Sequence, residues 1–173
     1  MRSVTPILLT LSFVACGGGG GGGGGGEPPT PPATPTAVIA ATAVVMAPSQ
    51  TIADLTVSLL QSPTSAPVLL EAHVDLPPQL TLPIASRLAA AVPLANLDGD
   101  FVQDSFVILC GDNANPNAQQ LPVGPLFHLR ISPSEPRLPG TYTVTLHSLL
   151  AATSEGEAVP LASESIAVTV SIQ

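Results

Sequence analysis

The sequence predicts an all-β fold for residues 37–173, an antiparallel β-sandwich of the jelly-roll or immunoglobulin-like kind, and three observations carry that prediction. Val, Leu, Ile, Ala, Thr and Ser make up most of the region, while the whole chain has no Trp and only one Tyr. β-Branched side chains suit a pleated, half-buried surface. Proline and glycine cut the region into short segments, as a fold with many turns requires. Several of those segments alternate apolar and polar residues with period two, the signature of a strand with one buried face. The 137 residues involved are enough to enclose a core.

The segments follow in order. Ala37–Met46 is an apolar run that ends at Ala47-Pro48-Ser49. Ile52–Leu60 alternates, with Leu55, Val57 and Leu59 on the inner side and Asp54, Thr56 and Ser58 on the outer. Val68–Leu76 repeats the pattern: Leu70, Ala72, Val74 and Leu76 inward, Glu71, His73 and Asp75 outward, with Pro77-Pro78 as the stop. Leu80–Leu82 reads as a short strand, and the alanine-rich Ile84–Val92 as a turn or two of helix stopped by Pro93. Asn96–Asp100 reads as a turn and Ser105–Cys110 as a buried strand. Gly111–Val123, rich in Asn, Asp, Gln and Pro, reads as a long surface loop. Pro125–Ile131, Thr141–Leu149 and Ser165–Ile172 complete a set of about eight strands, enough for two packed sheets. In the last two, Tyr142, Val144 and Leu146 share one face, as do Ile166, Val168, Val170 and Ile172.

Charge narrows the function. The chain has no lysine, and its arginines are Arg2, Arg87, Arg130 and Arg137, against twelve acidic residues. Such a surface repels phosphate backbones, so nucleic acid is excluded as a partner. Adsorption to anionic lipid is disfavoured for the same reason, and any membrane attachment must come from an anchor.

The N-terminal part supplies one. Residues 1–15 hold a single positive charge, Arg2, followed by an apolar stretch far shorter than the ~20 residues that span a bilayer. This fits a secretory signal with the small Ala15 at the cleavage position. Phe13-Val14-Ala15-Cys16 resembles a bacterial lipobox, with Phe13 where Leu is usual; an ordinary secretory signal cut near the same place is the alternative. The resemblance implies that Cys16 is the lipidated N-terminus of a mature lipoprotein. Two or more acyl chains anchor stably where one does not. Gly17, rather than Asp, after the cysteine implies the outer membrane of the cell envelope, with an extracytoplasmic domain. Cys110 then has no partner in the chain, and its apolar neighbours mark it as a small buried hydrophobe. Residues 16–36 form a tether: ten glycines, Gly17–Gly26, that cannot bury anything, then the Pro/Thr-rich Glu27–Thr36. As coil followed by polyproline II, it reaches about 50 Å.

The order of segments in the C-terminal region resembles the cohesin family, β-sandwich modules that bind dockerin modules. The resemblance rests on Phe106–Gly111, on Gly124-Pro-Leu-Phe-His-Leu-Arg-Ile131, on Leu138-Pro-Gly-Thr-Tyr-Thr-Val-Thr-Leu146 and on Ile166–Ile172. Val68–Leu82, a strand running into Leu-Pro-Pro-x-Leu, adds an earlier family segment, although Asp75-Leu76 stands where Tyr-Asp is usual. The resemblance implies that the strands matching Val68–Leu76, Pro125–Ile131 and Ser105–Cys110 are neighbours in the sheet that meets dockerin. Glu71, His73, Asp75, His128 and Arg130 would then form one partner-binding patch. The competing reading is that these outward polar residues are the solvated face of a sheet.

No chemistry of another kind stands out. His73, His128 and His147 lie on three different segments, without H-x-x-x-H or Cys/His spacing for a metal. Asn96, Asp98, Asp100 and Asp104 offer hard oxygens for calcium, but Gly99 comes too early for the known calcium loop, and surface acids in a turn are the simpler reading. G-x-S-x-G, H-E-x-x-H and phosphate loops are absent, so neither catalytic residues nor a cofactor are expected. The remaining competitors are a carbohydrate-binding module, for which the chain lacks exposed Trp, and a structural envelope lipoprotein.

Overall fold

Eleven strands and no helix make up the computed structural model, which describes residues 36–84, 86–94, 96–111 and 118–173. Cys16 and most of the tether lie outside the described residues. The strands are β1 (Val38–Ala41), β2 (Val44–Met46), β3 (Ala53–Gln61), β4 (Leu69–Asp75), β5 (Leu80–Thr81), β6 (Leu88–Ala90), β7 (Leu97–Val102), β8 (Ser105–Gly111), β9 (Gly124–Pro133), β10 (Gly140–Ala152) and β11 (Ile166–Ile172). They form two sheets. One runs β1-β3-β9-β5, with β6 also paired to β9; the other runs β2-β11-β10-β4-β8-β7. Every pairing is antiparallel except that of β2 with β11.

The core lies between the sheets, where the alternation of the sequence places it. Leu55, Val57 and Leu59 of β3 and Phe127, Leu129 and Ile131 of β9 face Leu70, Ala72 and Val74 of β4 and Phe106 and Ile108 of β8. Val144, Leu146, Val168, Val170 and Ile172 close it. All are buried, and among the described residues no polar or charged one is. The two sheets are therefore held by apolar area and close packing rather than by buried ion pairs.

Four local expectations are corrected. Ala37–Met46 is two strands, because the chain crosses between sheets at Thr42-Ala43: β1 joins β3, and β2 joins β11. One short apolar run thereby seals the edge of both layers with Ile39 and Met46. The alanine-rich stretch is not helical. Leu88, Ala89 and Ala90 pair with Leu129, His128 and Phe127, satisfying an edge of β9 that a helix would leave open. Asn96–Asp100 belongs largely to β7, and the chain turns at Gln103-Asp104. Gly99 faces inward there, and a Cβ on it would come within 2.6 Å of the Phe106 ring, so the residue is a seat for that ring rather than a turn. Finally, Leu121, in the predicted surface loop, is buried and packs against the core.

Three register shifts interrupt the alternation; one lies at the end of β3, where Val38 and Ile39 pair with Gln61 and Leu59 and pass over Leu60, and two lie within β9 and β10. Val57 pairs with Phe127 but Ser58 with Pro125, so Leu126 is an extra residue in β9 and both Leu126 and Phe127 are buried. In β10, His147 pairs with His73 and Leu150 with Glu71, leaving Ser148 and Leu149 opposite Ala72 alone. Ser148 has φ 50°, a left-handed conformation that accommodates the extra residue. Inward residues are Val144 and Leu146 before this bulge and Leu149 and Ala151 after it.

Candidate functional site

The outer face of the six-stranded sheet gathers the polar side chains that the sequence singles out on β4. Register defines its rows. Leu150, Glu71, Leu109 and Asp98 lie side by side across β10, β4, β8 and β7. His147, His73, Val107 and Asp100 form the next row. Thr145 and Asp75 begin a third, in which the Ser105 hydroxyl donates to Asp75 Oδ1 at 2.9 Å.

The centre of this face is a cross-strand pair of histidines. The rings of His73 and His147 are 5.5 Å apart and tilted by 52°. Each has its own carboxylate: His73 Nε2 lies 3.3 Å from Glu71 Oε1, and His147 Nε2 lies 3.1 Å from Asp75 Oδ2. The second contact is a close approach rather than an aligned hydrogen bond, because no acceptor lies in the direction of the buried Nε2. The Ser105 hydroxyl is the main cause that holds the Asp75 carboxyl below its ordinary value of 3.8; burial, the next largest effect, opposes it, and the proximity of His147 and the charge of both histidines add to the lowering.

Further along, the face turns apolar. Leu109, Val102 and Leu150 are 37%, 56% and 60% exposed, an unusual outward apolar content for a sheet that faces water. Val102, Val107 and Leu109 line a shallow groove of about 150 Å³ together with Asp98, Gly99 and Asp100. These carboxylates also accept the backbone N–H of the following residue, at 2.8 Å each. Among the described residues no three His, Cys, Asp or Glu side chains gather as metal ligands.

The five residues expected in one patch divide three and two. Glu71, His73 and Asp75 share the face just described. His128 and Arg130 do not, because β9 pairs with β3, β5 and β6 in the other sheet, and their side chains lie on the far side of the sandwich. There His128 Nδ1 is 3.0 Å from the Thr56 hydroxyl, and Arg130 Nε is 3.5 Å from Asp54 Oδ1. The correction follows from topology: period-two alternation tells inside from outside, but both sheets have an outside. His147, Asp98, Asp100 and Leu109 were missed as members of the face. The outward phase of His147 in its strand was visible, but its partner across the ladder was not. Cys110 is buried, and burial pushes its thiol up to about 12, which leaves it inert at neutral pH.

No protein-family model matches the sequence, and no curated protein does. Solved structures match the fold. A non-cellulosomal cohesin from the archaeon Archaeoglobus fulgidus is similar with a TM-score of 0.56 and 15% identity, over 82% of this chain and 92% of that one. The cohesin of a type I cohesin–dockerin complex from Clostridium thermocellum gives a TM-score of 0.62 and 17% identity, over 80% of this chain and 99% of that one. The sixth cohesin of scaffoldin B from Acetivibrio cellulolyticus, solved with a Cel5 dockerin, gives 0.63 and 13%, over 82% of this chain and 100% of that one. The described domain is a cohesin-like β-sandwich.

Proposed function

We propose that the domain is a protein-binding module that docks a dockerin-like partner on the outer face of the six-stranded sheet. The observation that carries this reading is the fold: it spans the full length of cohesin modules, including ones solved with dockerins. The choice of face is supported by the resemblance of Val68–Leu76 and Ser105–Cys110 to partner-facing strands, and by the outward apolar residues of β7, β8 and β10. Cys16 would hold the module at the cell envelope as a lipoprotein, and the tether would raise its local concentration near the membrane.

The test is a pull-down with the full chain against envelope and secreted proteins of the source cell, with the Leu109→Arg variant alongside. Recovery of a protein with duplicated calcium-loop segments by the parent chain, and its loss with the variant, is the expected result. Equal recovery by both chains would remove the face from the reading. Palmitate labelling that persists in a Cys16→Ser chain would remove the anchor.

A further inference from the structure

The groove between β7 and β8 says what kind of side chain it takes. Its lining is mostly aliphatic, from Val102, Val107 and Leu109, and Asp98 and Asp100 of the edge strand β7 belong to it as well. A side chain that matches both has a long aliphatic stem and a cationic head, and only lysine and arginine have that form. We infer that the partner docks by laying a lysine or arginine into this groove, stem on the aliphatic floor and head between the two carboxylates, with apolar neighbours covering Leu109 and Leu150. The inference rests on the reading of this face as the docking surface and adds the chemistry of the partner.

Charge complementarity across the molecule supports this assignment. The outer face of the six-stranded sheet carries Glu71, Asp75, Asp98 and Asp100, and no lysine exists in the chain to neutralise them. Among the described residues Arg87 alone reaches Asp100: its Nη1 lies 3.8 Å from Asp100 Oδ1, and its guanidinium lies 5.0 Å from the centre of the Phe101 ring. Asp100 is 86% exposed in that contact, so the pair is weak and the carboxylate stays open to a second cation. The other sheet offers no such field, since Asp54 on its outer face is answered by Arg130 at 3.5 Å. An acidic field that no lysine answers, beside exposed aliphatic groups, steers cationic partners and rejects anionic ones.

The experiment uses the full chain and three amphipathic helical peptides with the same leucine face, whose polar faces are lysine, glutamine or glutamate. Binding is read by fluorescence anisotropy, and folding of each variant by circular dichroism. The lysine peptide is expected to bind, and the glutamate peptide not. The Asp98→Asn/Asp100→Asn chain should lose about tenfold in affinity for it, and Leu109→Ser a similar amount. Removing two charges elsewhere, with Glu155→Gln/Glu157→Gln in the connection after β10, should change little. Equal loss with that control would mean diffuse acidity and overturn the inference. Face-dependent binding of the glutamine or glutamate peptide as tight as that of the lysine peptide would also overturn it, while leaving the docking face intact. If no peptide responds to the face variants the inference fails, and the docking reading is decided separately by the pull-down.

Discussion

Replacing Gly111 with alanine tests whether the β4–β8 ladder is held as tightly as the structure shows. Gly111 ends β8 with φ 93°, a conformation L-residues rarely adopt, and pairs with Leu69. A Cβ there would overlap the Val68 carbonyl oxygen, lie 2.9 Å from the Val68 carbonyl carbon and 3.2 Å from Leu121 Cδ2. The torsion alone costs about 1–2 kcal/mol. Relieving the overlap requires backbone, not a side-chain tip, to move. Val68 N–H donates to Ala152 at 2.9 Å and Leu121 N–H to Pro67 at 2.8 Å, and straining those bonds adds about 1–3 kcal/mol. The total, about 2–5 kcal/mol, is a large share of the roughly 5–15 kcal/mol that holds a domain folded. Gly156 supplies the control: φ is 79°, but nothing lies within 4 Å of a Cβ there, so Gly156→Ala reads the torsional part alone, about 1–2 kcal/mol. Urea denaturation of both variants separates the terms, since the difference in free energy is the steric part. Equal destabilisation by the two would show that the Val68 backbone is free to yield, and would refute the argument.

Other consequences are as direct. Arg137 donates through Nη1 to the Gln50 carbonyl and through Nη2 to that of Ala47, both at 2.6 Å, tying the connection after β9 to the one after β2. Arg137→Ala should cost about 2–3 kcal/mol in urea, and Arg137→Lys should recover less than half because an ammonium lacks the planar fork. Asp75 contributes stability that is present above its unfolded pKa of about 4 and is lost as pH falls through its lowered folded value. The gap in urea midpoint between the parent chain and Asp75→Asn should therefore be open at neutral pH and close in acid; a gap independent of pH would assign the effect to packing. Its size will be small, because the carboxylate is largely exposed and screened. In a Cys16→Ser chain, Cys110 should resist a thiol reagent at pH 8 and react fully in urea, and fast reaction of the folded chain would contradict its burial.

What the sequence determined by itself is the inside–outside assignment of the long strands, and with it the fold class. Leu55, Val57 and Leu59, then Leu70, Ala72 and Val74, then Val168, Val170 and Ile172 are inward in both the alternation and the structure. A period of two is a local property of a strand, visible without knowing what the strand pairs with. Short segments lacked that redundancy. Leu88–Ala90 took its conformation from the open edge of β9, and Asn96–Asp100 became strand because Gly99 admits the Phe106 ring. The bulge at Ser148-Leu149 reverses the phase in the middle of β10 and was equally illegible from alternation. The composition of the candidate face was a tertiary decision throughout. Strand order put β9 in the opposite sheet and so removed His128 and Arg130, while register brought His147 beside His73 and set Asp98 and Asp100 around Val107 and Leu109. Those neighbours come from segments far apart in the chain, and only hydrogen-bonded pairing between strands decides who meets whom.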